Sequence, residues 1–466
     1  MALDPNEQPG PPISKFESML KTDAVYFFDT EDFEEIIHHY LNNGRVSLAK
    51  KAIRMGLQQH PDALELRLLD IEVLVFENQL DRAGTLLDEL QQIDSLNQEI
   101  YVQRANICSK QDNHKAAVTW LQKALLLSGH DPDIHSLLGM EYLFLDEYPR
   151  ARECFMACVE ADPEDYASLY NVVYCFEFEE DHSSGIQYLN RYLETNPYCQ
   201  VAWHQLGKMY RAVSMFEEAL GAFDFAIIAD DAFVGAYFEK AKVLEKLGRL
   251  EEAIEHYSAT LDLDDPTSHA YLRMGRCYER LGDEEQARYF YYLTVHEDPL
   301  LDKGWLAITD FYLKQNHLEK AREYIEKAIH IDGENAVYWD RCARIHQLLE
   351  RWDEADYAFR QAVDLGNYQL DTWLNWSEVL RNMEEPEAAR EVLRQGLEFH
   401  PDAASLHYHM AGICHDLRKP NLAERHLKTA IELQPGLLDR FLERYPCFQD
   451  SSRLARKVKS RNKASE

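Results

Sequence analysis

An all-α fold of stacked antiparallel helix pairs is predicted, and three observations predict it. One pattern recurs every 34 residues from about residue 30 to about residue 437. Large apolar and small side chains fall four residues apart within each period, the spacing of one helix face. Leu, Glu and Ala dominate, with only 19 Gly and 16 Pro in 466 residues, so long helices are joined by short turns. A period of this length marks one supersecondary element that buries its apolar face only against its neighbours.

Counting repeats from residues 30, 64, 98 and onward in steps of 34, position 20 holds Ala49, Ala83, Ala117, Ala151, Gly185, Ala219, Ala253, Ala287, Ala321, Ala355, Ala389 and Ala423. Four residues later comes a large apolar side chain, such as Phe155, Phe223, Tyr257 or Tyr291. These two series define the second helix of each pair. Position 4 is rich in aromatics, as in Tyr101, Trp203, Trp305, Trp339 and Trp373, with Arg67, His135, Leu169 and His407 as exceptions. Position 8 is mostly small, as in Gly139, Gly207, Ala241 and Gly275, which lets the second helix approach closely. Ile37, Ile71 and Val173 break that rule, and altered helix crossing is expected in their repeats. Position 32 is Pro61, Pro163, Pro197, Pro299, Pro401 or Pro435 in six repeats and mostly a turn former in the rest, which ends the second helix.

These motifs resemble the tetratricopeptide repeat. Trp203, Leu206, Gly207, Tyr210, Ala219, Phe223 and Ala226 match its pattern in repeat six, with Asp231 in place of Pro. The resemblance covers residues 30–437 as twelve units and implies a right-handed superhelical solenoid. It also implies a non-enzymatic scaffold or adaptor that holds a protein or peptide in a concave groove. The fold by itself names no partner.

Outside the repeats, residues 1–29 read as a disordered Pro-rich arm followed by a capping segment with Phe16, Met19, Leu20, Tyr26, Phe27 and Phe28. Residues 438–449 read as a C-terminal capping helix with Leu438, Phe441, Leu442 and Tyr445. Residues 450–466 read as a basic disordered tail, in which Arg453, Arg456 and Lys457 lead six cations against Glu466 from Ser451 onward. The net charge of −33 argues against wholesale binding to nucleic acid or anionic membrane, leaving the tail as the one candidate contact for such partners. Nine scattered Cys, no signal-like start and no run of eighteen apolar residues suggest a cytoplasmic protein without disulfides or membrane insertion.

No phosphate-binding glycine loop occurs, and no cofactor is expected. Cys154 and Cys158 lie one turn apart without further ligands nearby in sequence, and Cys158 stands where other repeats carry Ala, so packing is the better reading. His38–His39 and His407–His409 diverge around their helices. The Glu pairs at 217–218 and 251–252 suit a solvated first helical turn.

In the first helices, positions 4, 7, 8 and 11 form the packed face, and positions 2, 5, 9 and 12 lie opposite. The resemblance places that opposite face in the groove. It begins acidic with Glu31, Glu34, Glu65, Glu72 and Glu99, then turns apolar with Met140, Leu143, Tyr170 and Tyr174. Lys208, Arg211, Lys242, Arg276 and Arg344 follow, interrupted by Asp310. Like charges at one position in successive repeats repel, so an acidic partner is the expected occupant. The lysine–asparagine clamp of chaperone-binding relatives is not matched. The alternative is a regulatory or targeting subunit that contacts an enzyme or nucleic-acid machine through the basic tail.

Overall fold

Each period folds as two helices because its apolar positions make two facing stripes and its turn residue stops the first helix. The computed structural model describes residues 11–21, 26–263, 267–446 and 448, and the regular structure among them is helical throughout. Repeat one comprises Thr30–Asn42 and Val46–Gln59, repeat six Gln200–Ala212 and Phe216–Ala229, and repeat twelve Ala404–Asp416 and Pro420–Leu433.

The turn inside every repeat contains one left-handed residue at the same position. It is Gly44, Gly248 or Gly282 in three repeats, and Asn78, Asp112, Asp146, Glu180, Ser214, Asn316, Glu350, Glu384 or Arg418 in the others. The next amide then reaches back to a carbonyl near the helix end: Arg351 N–H donates to His346 C=O at 2.9 Å, and Glu385 N–H to Leu380 C=O at 2.9 Å. This satisfies carbonyls that the helix would otherwise leave open. Gly adopts the conformation freely, whereas a residue with a Cβ is strained by about 1–2 kcal/mol. Glu350→Gly, Glu384→Gly and Arg418→Gly replace exposed side chains. Each is expected to stabilise by about 0.5–1 kcal/mol after the added chain entropy is subtracted. A thermal melt checks this, and a lowered midpoint would show the turn to be unstrained.

Packing within a pair is set by two positions together. A Cβ on Gly139, Gly207 or Gly275 would come within 2.6, 2.5 and 2.6 Å of the rings of Phe155, Phe223 and Tyr291. Where position 8 is Ile37, Ile71 or Val173, position 24 is Ile53, Leu87 or Leu189, and all six side chains are buried. The aliphatic partner returns part of the volume that the larger residue takes, but the two helices of these pairs approach each other less closely than in the repeats with Gly or Ala at position 8, as the sequence leads one to expect.

Position 4 does more than fill space. The Trp203, Trp305 and Trp339 indole N–H groups donate to the Pro197, Pro299 and Gly333 carbonyls at 2.8, 2.9 and 2.8 Å. Tyr101 donates to Ser95 C=O at 2.8 Å. Arg67 donates to Pro61 C=O at 2.6 Å, and His407 Nε2 lies 3.2 Å from Pro401 C=O. In these six repeats Arg67 and His407 therefore substitute for Trp or Tyr by reaching the same carbonyl six residues earlier, whereas Phe33 and Leu169 carry no donor and the buried Trp373 indole N–H makes no such bond.

The chain forms two compact bodies, Met1–Ala236 and Tyr237–Glu466. The N-terminal body is closed by helix Pro11–Lys21, so Pro11 and Pro12 open a helix instead of belonging to the arm. Proline suits the first helical turn, where its missing N–H has no partner to lose. Phe16 packs on Phe28 and Tyr40 with ring centroids 6.0 and 6.1 Å apart, and Gln59 accepts from Phe28 N–H and donates to Tyr26 C=O. The C-terminal body is closed by helix Leu438–Arg444, with Leu438, Phe441, Leu442, Tyr445 and Phe448 buried. Residues 1–10 and the tail, including Arg453, Arg456 and Lys457, lie outside the described residues.

Candidate functional site

The face at positions 2, 5, 9 and 12 carries side chains that the pair packing does not use. Met140, Tyr170 and Tyr174 are 40, 42 and 47% exposed, while Leu138, Leu169 and Val173 beside them on the same helices are buried. The acidic group precedes them in the same body. Burial, then the Glu65 carboxylate, raises the Glu34 carboxyl above its ordinary range; burial and Glu99 do the same to Glu72. Carboxylates of neighbouring first helices thus face one another.

Lys208 and Arg211 fall in the N-terminal body, and Lys242, Arg276 and Arg344 in the C-terminal one. Lys208 Nζ lies 3.6 Å from Glu177 and donates to Gln205 at 3.0 Å. Lys242 lies 2.7 Å from Glu239, and Arg344 lies 2.8 Å from Asp340. Arg276 lines an open cleft of about 520 Å³ with Glu245, Glu279, Arg280, Asp310 and Lys314. Burial raises the Asp310 carboxyl, against the pull of Arg341, Lys314 and Arg276. The like-charge repulsion inferred from the sequence is therefore offset locally, because carboxylates from other repeat positions sit beside these cations.

Sequence reading missed a ladder in the same cleft. Tyr257 donates to Glu245 at 3.1 Å and Tyr291 to Glu279 at 2.5 Å. Arg280 donates to Glu245 C=O at 3.0 Å, and Lys314 to the Glu279 carboxylate at 2.5 Å. The available signal was that Tyr at position 24 coincides with Glu at position 12, whereas Phe155, Phe223 and Phe359 coincide with Leu143, Arg211 and Gln347.

At repeats eleven and twelve the face is already covered by the chain's own end. Arg444 donates to Glu378, a position-9 residue, at 2.5 Å. The Arg381 guanidinium lies 4.9 Å from the Tyr445 ring centroid, and that ring fills the space left by Gly412. His409 sits 3.7 Å from Glu378, and burial lowers its pKa to about 4 despite that carboxylate, so the imidazole is neutral at physiological pH.

Burial pushes the Cys154 and Cys342 thiols up to about 12 and Cys175 to about 11, which keeps them protonated and poor nucleophiles. Cys158 Sγ donates to Pro132 C=O at 3.2 Å. Among the described residues no group of three or more His, Cys, Asp or Glu is placed to hold a metal. Among them, too, no helix is long and apolar enough to cross a membrane.

Residues 98–131 and 132–165 match the tetratricopeptide repeat profile, and residues 229–440 match the C-terminal domain of cilia and flagella-associated protein 70. Human protein O-mannosyl-transferase TMTC1 is 25% identical over 183 residues, 38% of this chain and 21% of that protein. Anaphase-promoting complex subunit 3 of Schizosaccharomyces pombe is 25% identical over 140 residues, 30% of this chain and 21% of that protein. The chain thus spans about a fifth of the length of these curated relatives. The APC/C hetero-tetramer Cut9–Hcn1 aligns at a TM-score of 0.39 and 15% identity, over 89% of this chain and 92% of that one. With the profile matches inside the 34-residue series and a helix pair in every period, the chain belongs to the tetratricopeptide-repeat proteins.

Proposed function

We propose that this is a non-enzymatic scaffold, cytoplasmic in location, that holds a segment of a partner protein along positions 2, 5, 9 and 12. The observation that carries the reading is the half-exposed Tyr170 and Tyr174 on a face whose opposite side is fully packed. Tyrosines placed this way supply apolar area and a polar tip at little entropic cost. Lys208, Arg211, Lys242, Arg276 and Arg344 are the contacts for acidic side chains of the partner, with Lys208, Lys242 and Arg344 exchanging an internal carboxylate for one from the ligand. The match of residues 229–440 to a domain of a cilia- and flagella-associated protein supports a place in a ciliary or flagellar assembly.

The triple substitution Lys208→Glu, Lys242→Glu and Arg276→Glu is expected to abolish partner recovery in pull-downs while circular dichroism stays helical. None of the three lies on the packed face, so folding should survive. Recovery should also weaken with salt, since the Debye length is ~8 Å at physiological ionic strength. Full recovery by the triple variant would remove the cations from the reading.

A further inference from the structure

We infer that the part of this face in repeats one to five docks a segment in which aromatic or aliphatic side chains alternate with Arg or Lys. It rests on the same face being a docking surface, but not on the cations of repeats six to ten. The apolar part is Met140, Tyr170 and Tyr174, half exposed on two successive first helices. Phe144 and Phe178 extend it at 59 and 57% exposure, stacked on His114 and Tyr148 with centroids 4.6 and 4.1 Å apart. Stacking holds both rings in place, so the patch is formed before anything binds.

The charge of the occupant follows from what borders the patch. Glu34, Glu65, Glu72 and Glu99 lie on the preceding helices of the same face; burial raises the Glu34 and Glu72 carboxyls, and repulsion from Glu65 and Glu99 adds to it against the opposing pull of His38. A cation laid between them relieves that repulsion, whereas an acidic segment adds to it. The chain supplies its own example of the chemistry. At repeats eleven and twelve the same repeat positions, Glu378 and Gly412, receive Arg444 and the ring of Tyr445 from residues 438–448. An aromatic beside an arginine is thus what this face takes when a segment is at hand. Repeats one to five offer the same pairing of carboxylates with an apolar surface.

The test is fluorescence anisotropy on the full chain with three labelled twelve-residue peptides. One alternates Arg or Lys with Leu or Trp, one replaces its cations by Glu, and one replaces its apolar residues by Ser. The first should bind at least tenfold tighter than either of the others. Tyr170→Ala with Tyr174→Ala should weaken it at least tenfold, and Glu34→Gln with Glu72→Gln at least threefold, with helicity unchanged. Equal binding of the Ser peptide would reduce the effect to the chain's overall negative charge, and undiminished binding by the tyrosine variant would overturn the site. The Lys208, Lys242 and Arg276 variant should keep this affinity. If it does while still recovering the native partner, the cation contacts proposed above fail and this site stands. Loss of partner recovery in that variant, with the tyrosine variant binding normally, gives the reverse.

Discussion

Gly207→Val is expected to be among the most damaging single changes in the chain. A Cβ at that position already falls 2.5 Å from a Phe223 ring carbon, and valine adds two methyl groups. Overpacking of this kind costs about 1–3 kcal/mol, and so close an approach places it at the upper end. Phe223→Ala errs the other way, emptying a fully buried position, at about 3–5 kcal/mol. The combination Gly207→Ile with Phe223→Leu recreates the Ile71 and Leu87 pair of repeat two. It should fall short of the summed costs of Gly207→Ile and Phe223→Leu made singly by more than about 1 kcal/mol, the signature of direct coupling. Urea denaturation of the four proteins measures this, and simple additivity would refute volume sharing. Hydrogen exchange should place the loosening in repeat six and its neighbours, since a stack of repeats couples locally.

Truncation after residue 437 should have an effect of similar size. It removes Leu438, Phe441, Leu442, Tyr445 and Phe448, all buried, and uncovers the apolar face of repeat twelve. Each such side chain contributes roughly 1.5–3 kcal/mol when fully buried, before the entropy of ordering is subtracted. Amides of residues 404–433 should then exchange faster, with amides near the N-terminus unchanged; equal protection in both proteins would mean that helix Leu438–Arg444 does not cap. Acid should loosen the same end without truncation. The folded pKa of His409 lies below its ordinary 6.5, so the unfolded chain binds the extra proton more readily. Stability from this group is complete above about pH 6.5 and is lost as pH falls toward about 4. Glu378 opposes the shift, and Arg444, Arg381 and Arg440 add to it.

The fold was legible because its determinants repeat. Any one Ala at position 20 says little, but eleven in register, with Gly185 as the twelfth small residue, fix the second helix and its packed face. What stayed hidden were properties of pairs. Ile37 looks like a violation until Ile53 is considered with it, and Arg67 looks like a lost aromatic until its bond to Pro61 is seen. The left-handed turn residue was invisible for a different reason: only three of its twelve occupants are Gly, and Glu350 or Arg418 gives no hint of such a backbone. At the candidate site, Tyr170, Tyr174 and the cations could be assigned to one face from spacing alone. Their carboxylate neighbours could be read only in part: Asp340 stands four residues before Arg344 on one helix, whereas Glu177 belongs to the preceding repeat and meets Lys208 only once the helices are stacked.

The bonds from Trp203, Trp305 and Trp339 to the preceding carbonyls have a practical consequence. Each indole is tied to one junction between repeats, whereas Trp373 is sealed beneath the surface against Gly396. Indole emission shifts to the red when the ring meets water, so the four tryptophans act as position-coded reporters. Variants retaining one of them at a time would show in what order the junctions open on heating, a melting map along the chain obtained without any added dye.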